Sequence, residues 1–361
     1  MQFIDLHSQY LSIQKSVESR IKKILNHGQY ILGPEVTELE TTLAQRTKTS
    51  FCVSTSSGTV SLEIALRALG IGPGDEVITV PFTFFSTAEV IGIVGAKPVF
   101  VDIRPDTFCI NEDLIEKAIT SKTRAIMPVS LYGQMADMKK INAIAEKYHL
   151  PVIEDAAQSF GARQNGISSC GSSTIGCTSF YPAKPLGCYG DGGAIFTNDE
   201  ELAKRFVLLR NHGSSKRDDH PILGCNGRLD TIQAAVLLAK LEIFDKEIQM
   251  RNEVANFYSE GLKDTCITPY IPEGNLHVYA QYTVRIKERN KIQAELGKQG
   301  IPTVTHYSRC IHEQPAFAYL GYKPEDFPVA LQTSREILCL PMSPYLKRED
   351  QEKIINAIKR I

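Results

Sequence analysis

Between Phe51 and Thr197 the chain repeats one pattern, a short apolar run followed by an amphipathic stretch with helical spacing. The runs Phe51–Ser54, Glu76–Val80, Pro98–Asp102, Arg124–Val129 and Val152–Asp155 read as strands. Thr59–Leu69, Phe85–Val94 and Met138–Tyr148 carry apolar residues on one helical face between them. Shorter strands are expected at Cys177–Phe180 and Ala194–Thr197. Strands alternating with helices in this order predict an α/β fold, with a mostly parallel sheet covered by helices on both faces.

The flanks complete the outline. Before residue 50 the spacing of Leu11, Val17, Ile21, Ile24 and Leu25 predicts a helix with Ser8 as its cap. Gly33-Pro34-Glu35 reads as a second helix start. One long helix is expected from Arg228 to about Gly261. Beyond it lie a strand at Gln281–Ile286 and helices at Lys291–Lys298 and Arg348–Lys359. With 361 residues, the chain suits a large domain over 1–240, including the N-terminal helices, and a smaller α+β domain over 241–361.

Several function classes drop out. Net charge is −1 with no long basic run, so neither nucleic acid nor a membrane surface has an electrostatic footprint. The N-terminus shows no basic segment leading into an apolar one, and no run is long enough to span a bilayer, so a cytoplasmic location is expected. The nine cysteines are scattered, without a Cys-x-x-Cys pair, and read as reduced thiols. His306 and His312 lack the spacing of metal ligands, and no metal is expected.

Four segments could carry chemistry, and each alone also has an ordinary reading. Ser54-Thr55-Ser56-Ser57-Gly58-Thr59 lies between a strand and a helix. It could cradle a phosphate at the helix N-terminus or be a plain capped loop. Val152-Ile153-Glu154-Asp155-Ala156-Ala157-Gln158 ends a buried strand in two acids, one of which could pair with a protonated ring nitrogen or merely cap a helix. Lys184 sits in the apolar, proline-flanked turn Tyr181-Pro182-Ala183-Lys184-Pro185-Leu186-Gly187. Desolvation there would favour the neutral amine that forms a Schiff base, while a surface lysine packed along its stem is the plain alternative. Asn226-Gly227-Arg228-Leu229-Asp230 could meet an anion or simply cap the long helix. Together the segments supply a phosphate cradle, a ring-nitrogen acid and a Schiff-base lysine in the order that pyridoxal phosphate needs.

The runs Glu154-Asp155-Ala156-Ala157-Gln158-Ser159-Phe160-Gly161, Ser179-Phe180-Tyr181-Pro182-Ala183-Lys184-Pro185-Leu186-Gly187 and Gly190-Asp191-Gly192-Gly193-Ala194 resemble the signature of the sugar-nucleotide aminotransferases of the DegT/DnrJ/EryC/StrS type. These are fold-type-I pyridoxal-phosphate enzymes of the aspartate aminotransferase superfamily. The resemblance implies that Lys184 carries the cofactor, Asp155 meets its ring nitrogen, Gln158 its ring hydroxyl, and Phe84 its face. It implies that Ser57, Gly58, Thr59 and Ser179 hold the phosphate. Asn226 would reach the phosphate from the partner subunit of a homodimer with shared active sites. Arg228, His306 and Tyr307 would line the sugar pocket.

The activity implied is transfer of the amino group of L-glutamate to a UDP-linked keto-sugar, at C3 of a 3-oxo-glucuronate, in bacterial surface polysaccharide biosynthesis. A UDP- or dTDP-linked 3-keto or 4-keto deoxysugar is the alternative within the family, and a non-catalytic regulatory relative is the alternative outside it. Val60 and Ser61 depart from the usual phosphate loop, and the segment from Cys310 to Lys323 matches less well.

Overall fold

The computed structural model describes all 361 residues. Helix α1 (Leu6–His27) is capped by Asp5, whose carboxylate accepts from the Ser8 amide at 2.9 Å. The cap expected at Ser8 therefore lies three residues earlier, and the Ser8 hydroxyl donates to Asp5 at 2.6 Å from within the first turn. The helix ends at Gly28, where φ is 73°, a left-handed setting that costs little without a Cβ. α2 (Pro34–Thr47) begins on its proline, whose missing N–H no helix would use at that position.

The alternating region then forms β1 (Phe51–Thr55), α3 (Gly58–Ala68), β2 (Glu76–Thr79), α4 (Ser86–Ile93), β3 (Lys97–Phe100), β4 (Thr123–Ile126), α5 (Met138–Lys147), β5 (Ile153–Asp155), β6 (Ile175–Ser179) and β7 (Gly193–Thr197). β3, β2 and β4 are parallel neighbours. Parallel bridges at Ile126–Val152 and Val129–Asp155 join β4 to β5, which is parallel to β6. β7 is antiparallel to both β6 and β1 and closes the row β3-β2-β4-β5-β6-β7-β1.

Both faces of this sheet are buried. Ile195 belongs to an apolar cluster with Leu66, Ile153, Ile175 and Phe206, while its neighbour Phe196 packs on the opposite face with Phe160, Phe180 and Leu237. That is the strand period of two expressed as two cores. Truncating a ring such as Phe196, fully buried in one of them, would cost about 3–5 kcal/mol.

The long helix is two. α6 (Glu200–Arg210) is followed by α7 (Thr231–Leu241) and α8 (Phe244–Leu262). At the break the amides of Glu242 and Ile243 reach back three residues, to Ala239 and Lys240, instead of four. Both residues stay right-handed, so neither glycine nor proline signals the break. A third core begins within α8. It gathers Tyr258, Leu262 and the antiparallel pair β8 (Tyr282–Arg285) and β9 (Ile337–Leu340), with α9 (Arg289–Lys298) and α10 (Arg348–Arg360) against it. Cys310, Ile311, Phe317 and Phe327 fold back onto the large core and bring His306 and Tyr307 toward the end of β5.

Candidate active site

The carboxyl ends of β1, β5 and β6 meet on one side of the sheet, where open parallel sheets bind ligands. At the end of β1, Ser57 caps α3 by accepting from the Val60 amide at 3.1 Å. The Gly58 and Thr59 amides in the first turn have no intrahelical acceptor, as at any helix start. A Cβ on Gly58 would lie 2.7 Å from Ser179 Cβ, and one on Gly193 would lie 2.6 Å from the Ser57 carbonyl oxygen. Three strand ends therefore close around this loop only because two glycines permit it. Ser61 is buried and hydrogen-bonded to Thr55 at 2.6 Å, so it braces the loop from behind. Val60 packs against Gly227, and the Gly227 carbonyl accepts from the Ser56 amide at 2.8 Å.

Asp155 closes β5 and is buried. One carboxylate oxygen accepts from the Thr87 hydroxyl at 2.7 Å, the other from the Ala157 amide at 3.1 Å. Burial pushes its carboxyl above the ordinary range, against the two hydrogen bonds and the Lys184 ammonium, which favour the charged form. Gln158 is also buried. Its carbonyl oxygen accepts from the Tyr132 amide at 3.0 Å, so its Nε2 faces the Tyr307 hydroxyl at 3.1 Å.

Lys184 is half-buried in the turn after β6, where its own amide donates to the Tyr181 carbonyl at 2.9 Å. Burial brings the ammonium down to about 8, with Asp155 opposing the shift. At pH 7 roughly a tenth of such lysines is neutral, against about three in ten thousand at the ordinary value. The Asp155 carboxylate and the Lys184 amine thus feel each other's charge, each shifted by burial toward its neutral form.

The other predicted residues fall into two groups. Phe84 is exposed, with its ring 6.2 Å from that of Tyr307, and the Tyr132 hydroxyl donates to the His306 carbonyl. Burial, and then the Lys184 charge, hold the His306 ring below its ordinary value. Burial raises the Tyr307 hydroxyl. Phe84, His306 and Tyr307 therefore stand around Lys184, Asp155 and Gln158. Asn226 and Arg228 do not join them within the chain. Asn226 is exposed, and Arg228 donates to Asn211 Oδ1 at 2.7 Å while its Nε is buried without an acceptor. Thr87 and Tyr132 belong to the site although sequence reading missed them. Nothing in a helical threonine or a loop tyrosine announces a partner so distant in the chain.

The model of the DegT/DnrJ/EryC1/StrS aminotransferase family matches residues 11–359. The UDP-2-acetamido-2-deoxy-3-oxo-D-glucuronate aminotransferase of Pseudomonas aeruginosa is 53% identical to the chain, covering 96% of each. A crystal structure of an aminotransferase of this type from Brucella abortus superposes with a TM-score of 0.97 at 43% identity, over 100% of this chain and 99% of that one. NtdA from Bacillus subtilis, solved with bound cofactor PMP, superposes with a TM-score of 0.90 at 31% identity, over 97% of this chain and 82% of that one.

Proposed function

The chain belongs to the DegT/DnrJ/EryC1/StrS aminotransferase family, and from that premise we propose that it moves the amino group of L-glutamate to C3 of UDP-2-acetamido-2-deoxy-3-oxo-glucuronate, in bacterial surface polysaccharide biosynthesis. It is a pyridoxal-phosphate aminotransferase. The observation that carries the mechanism is a half-buried amine, lowered to about 8, beside a buried carboxylate and a glycine-lined helix start. The sugar assignment is supported by the 53% identity to the Pseudomonas enzyme.

The residues fit the cofactor. Gly58 and Gly193 let the β1 loop pack tightly against Ser179 and Ser57, and the first-turn amides of α3 favour an anion there. Bound pyridoxal phosphate supplies an electron sink that lets a proton leave the carbon bearing the nitrogen. Ser57, Gly58, Thr59 and Ser179 would hold the phosphate. Asp155 would keep a proton on the ring nitrogen, Gln158 would donate to the ring oxygen from Nε2, and Phe84 would cover a ring face. Lys184 Nζ would hold the cofactor covalently until the donor displaces it. It would then take the proton from the glutamate carbon and return one to the sugar C3.

Arg228 would bind the carboxylate of the uronic acid or of glutamate, with His306 and Tyr307 lining the sugar pocket. Exposed Asn226 would complete the phosphate site of a second copy, which makes a homodimer the working unit. No helix is long and apolar enough to cross a membrane, and a cytoplasmic site of action fits a nucleotide-sugar substrate. A division near residues 240/241 would put Lys184 in the larger unit, a reading supported by the 310–327 side chains that pack onto the large core.

An assay with glutamate against a panel of UDP- and dTDP-linked keto-sugars, detecting 2-oxoglutarate, tests the assignment. Turnover should be fastest with the UDP-linked 3-oxo-uronic acid. Activity confined to dTDP-4-keto-6-deoxysugars would overturn it.

A further inference from the structure

Lys240 is buried to 1% exposure near the end of α7, and its ammonium has no hydrogen-bond acceptor in the chain. Its close neighbour is the face of the Tyr189 ring, with Nζ 4.6 Å from the centroid. A buried ammonium without an acceptor opposes folding, and an apolar side chain of the same length would fit the site at lower cost. What the ammonium gains is a desolvated cation–π contact, the setting in which that interaction is strongest.

Tyr189 belongs to the turn that carries Lys184. The turn folds on itself through the Cys188 amide and thiol, both directed at the Phe180 carbonyl at 2.8 and 3.0 Å. Its outer end is gripped by α7. Gln233 Oε1 accepts from the Tyr189 amide at 2.8 Å, and Gln233 Nε2 donates to the Tyr189 carbonyl at 3.4 Å. Gln233 and Lys240 are seven residues apart, two helical turns, and so share one face of α7. One helix face thus grips the backbone of Tyr189 with an amide and its ring with an ammonium.

We propose that Lys240 is a positioning residue for the transamination, holding Tyr189 from beneath so that the 181–190 turn presents Lys184 to the cofactor and substrate. The inference rests on the assignment of Lys184 as the covalent lysine. Burial brings the Lys240 ammonium down to about 8, with Glu247 and Cys188 opposing the shift.

The test uses the full-length protein stripped of cofactor and then reloaded. Three quantities are read: the thermal midpoint of the stripped protein, the rate at which added pyridoxal phosphate develops the yellow absorbance of a lysine adduct, and kcat after loading. Lys240→Met should leave the midpoint unchanged or raise it, while capture and kcat each fall about tenfold. Tyr189→Leu, a change in a partly exposed turn, should reproduce both losses, and the double variant should lose no more than either single one. Lys240→Arg should recover most of the rate.

Wild-type capture and kcat in Lys240→Met would overturn the proposal. So would a lowered midpoint with additive losses, which marks plain core packing, or conversion to monomers, which marks an interface role. Lys184→Met judges the underlying assignment separately: it should abolish the yellow adduct in any Lys240 background, and a surviving adduct would remove Lys184 from the mechanism.

Discussion

At the floor of the site, Asp155 accepts from Thr87 and Ala157, and Gln158 is held between the Tyr132 amide and the Tyr307 hydroxyl. At the proposed mouth, which this chain alone does not bring onto the floor, Arg228 has one side-chain hydrogen bond, to Asn211, and Asn226 is exposed. The floor is set by its own chain before any ligand arrives. The mouth keeps donors whose partners, on the proposed reading, would come from the substrate or a second subunit. Preorganised groups act on the reacting atoms, so changing them should lower kcat. Free donors act through binding, so changing them should raise KM.

The largest effect belongs to the floor. Lys184→Ala should reduce turnover by about 10⁴-fold or more, because the proposed base would be lost along with the proposed covalent anchor. Stopped-flow or endpoint detection of 2-oxoglutarate reads this directly. Turnover within tenfold of wild type would remove Lys184 from the chemistry.

Asp155→Asn comes next, with kcat lowered about 10³-fold, or about 4 kcal/mol of transition-state stabilisation. It carries a second signature with a definite sign. The Asp155 charge raises Lys184 against burial, so its removal must move Lys184 below about 8. Capture of pyridoxal phosphate by the stripped wild-type protein should speed up as pH rises, with a midpoint near 8. In Asp155→Asn that midpoint should move to lower pH, and an unmoved midpoint would separate the two residues.

The mouth should respond differently. Arg228→Met should raise KM for the uronic acid substrate about 30-fold, about 2 kcal/mol, with kcat within about twofold. A neutral keto-sugar should be affected far less. If kcat took the loss instead, Arg228 would belong with the floor and the distinction drawn here would fail.

The same contrast explains what sequence reading can see. Short apolar runs alternating with helical spacings mark β1 to β7 and their helices, because a strand buried on both faces is apolar throughout while each helix shows its own apolar stripe. β9, Ile337–Leu340, is as fully buried but stands outside that alternation of strands and helices, and no strand is expected there from sequence. The break at Glu242 and Ile243 is a shift of hydrogen-bond partner without a special residue, which composition does not encode. Asp5 and Ser8 are both good caps three residues apart, and only geometry chooses between them. In the site, Lys184 and Asp155 stand in runs specific enough to name a family. The supports of these residues are generic. A helical threonine, or Lys240 in the apolar run Ala239-Lys240-Leu241, reads as ordinary until the fold supplies Asp155 or Tyr189.

Thr87 gives the smallest effect and the sharpest test of preorganisation. It is fully buried in the first turn of α4, and its hydroxyl is one of two donors that hold Asp155 in its charged form. Thr87→Val keeps the volume and removes the donor. Asp155, already raised by burial, must rise further, so the acid limb of the kcat profile should move to higher pH. On the acid side kcat should fall about fivefold, with the loss growing as pH falls and more Asp155 becomes protonated. Some stability should be lost as well, about 1–3 kcal/mol, because one buried carboxylate oxygen is left without its donor. Thr87→Ser separates the two contributions. It restores the hydroxyl at the price of one methyl, so it should recover the acid limb even where thermal stability is not fully regained. If Thr87→Ser recovered stability while its acid limb stayed displaced, Thr87 would be packing α4 and not setting the charge of Asp155.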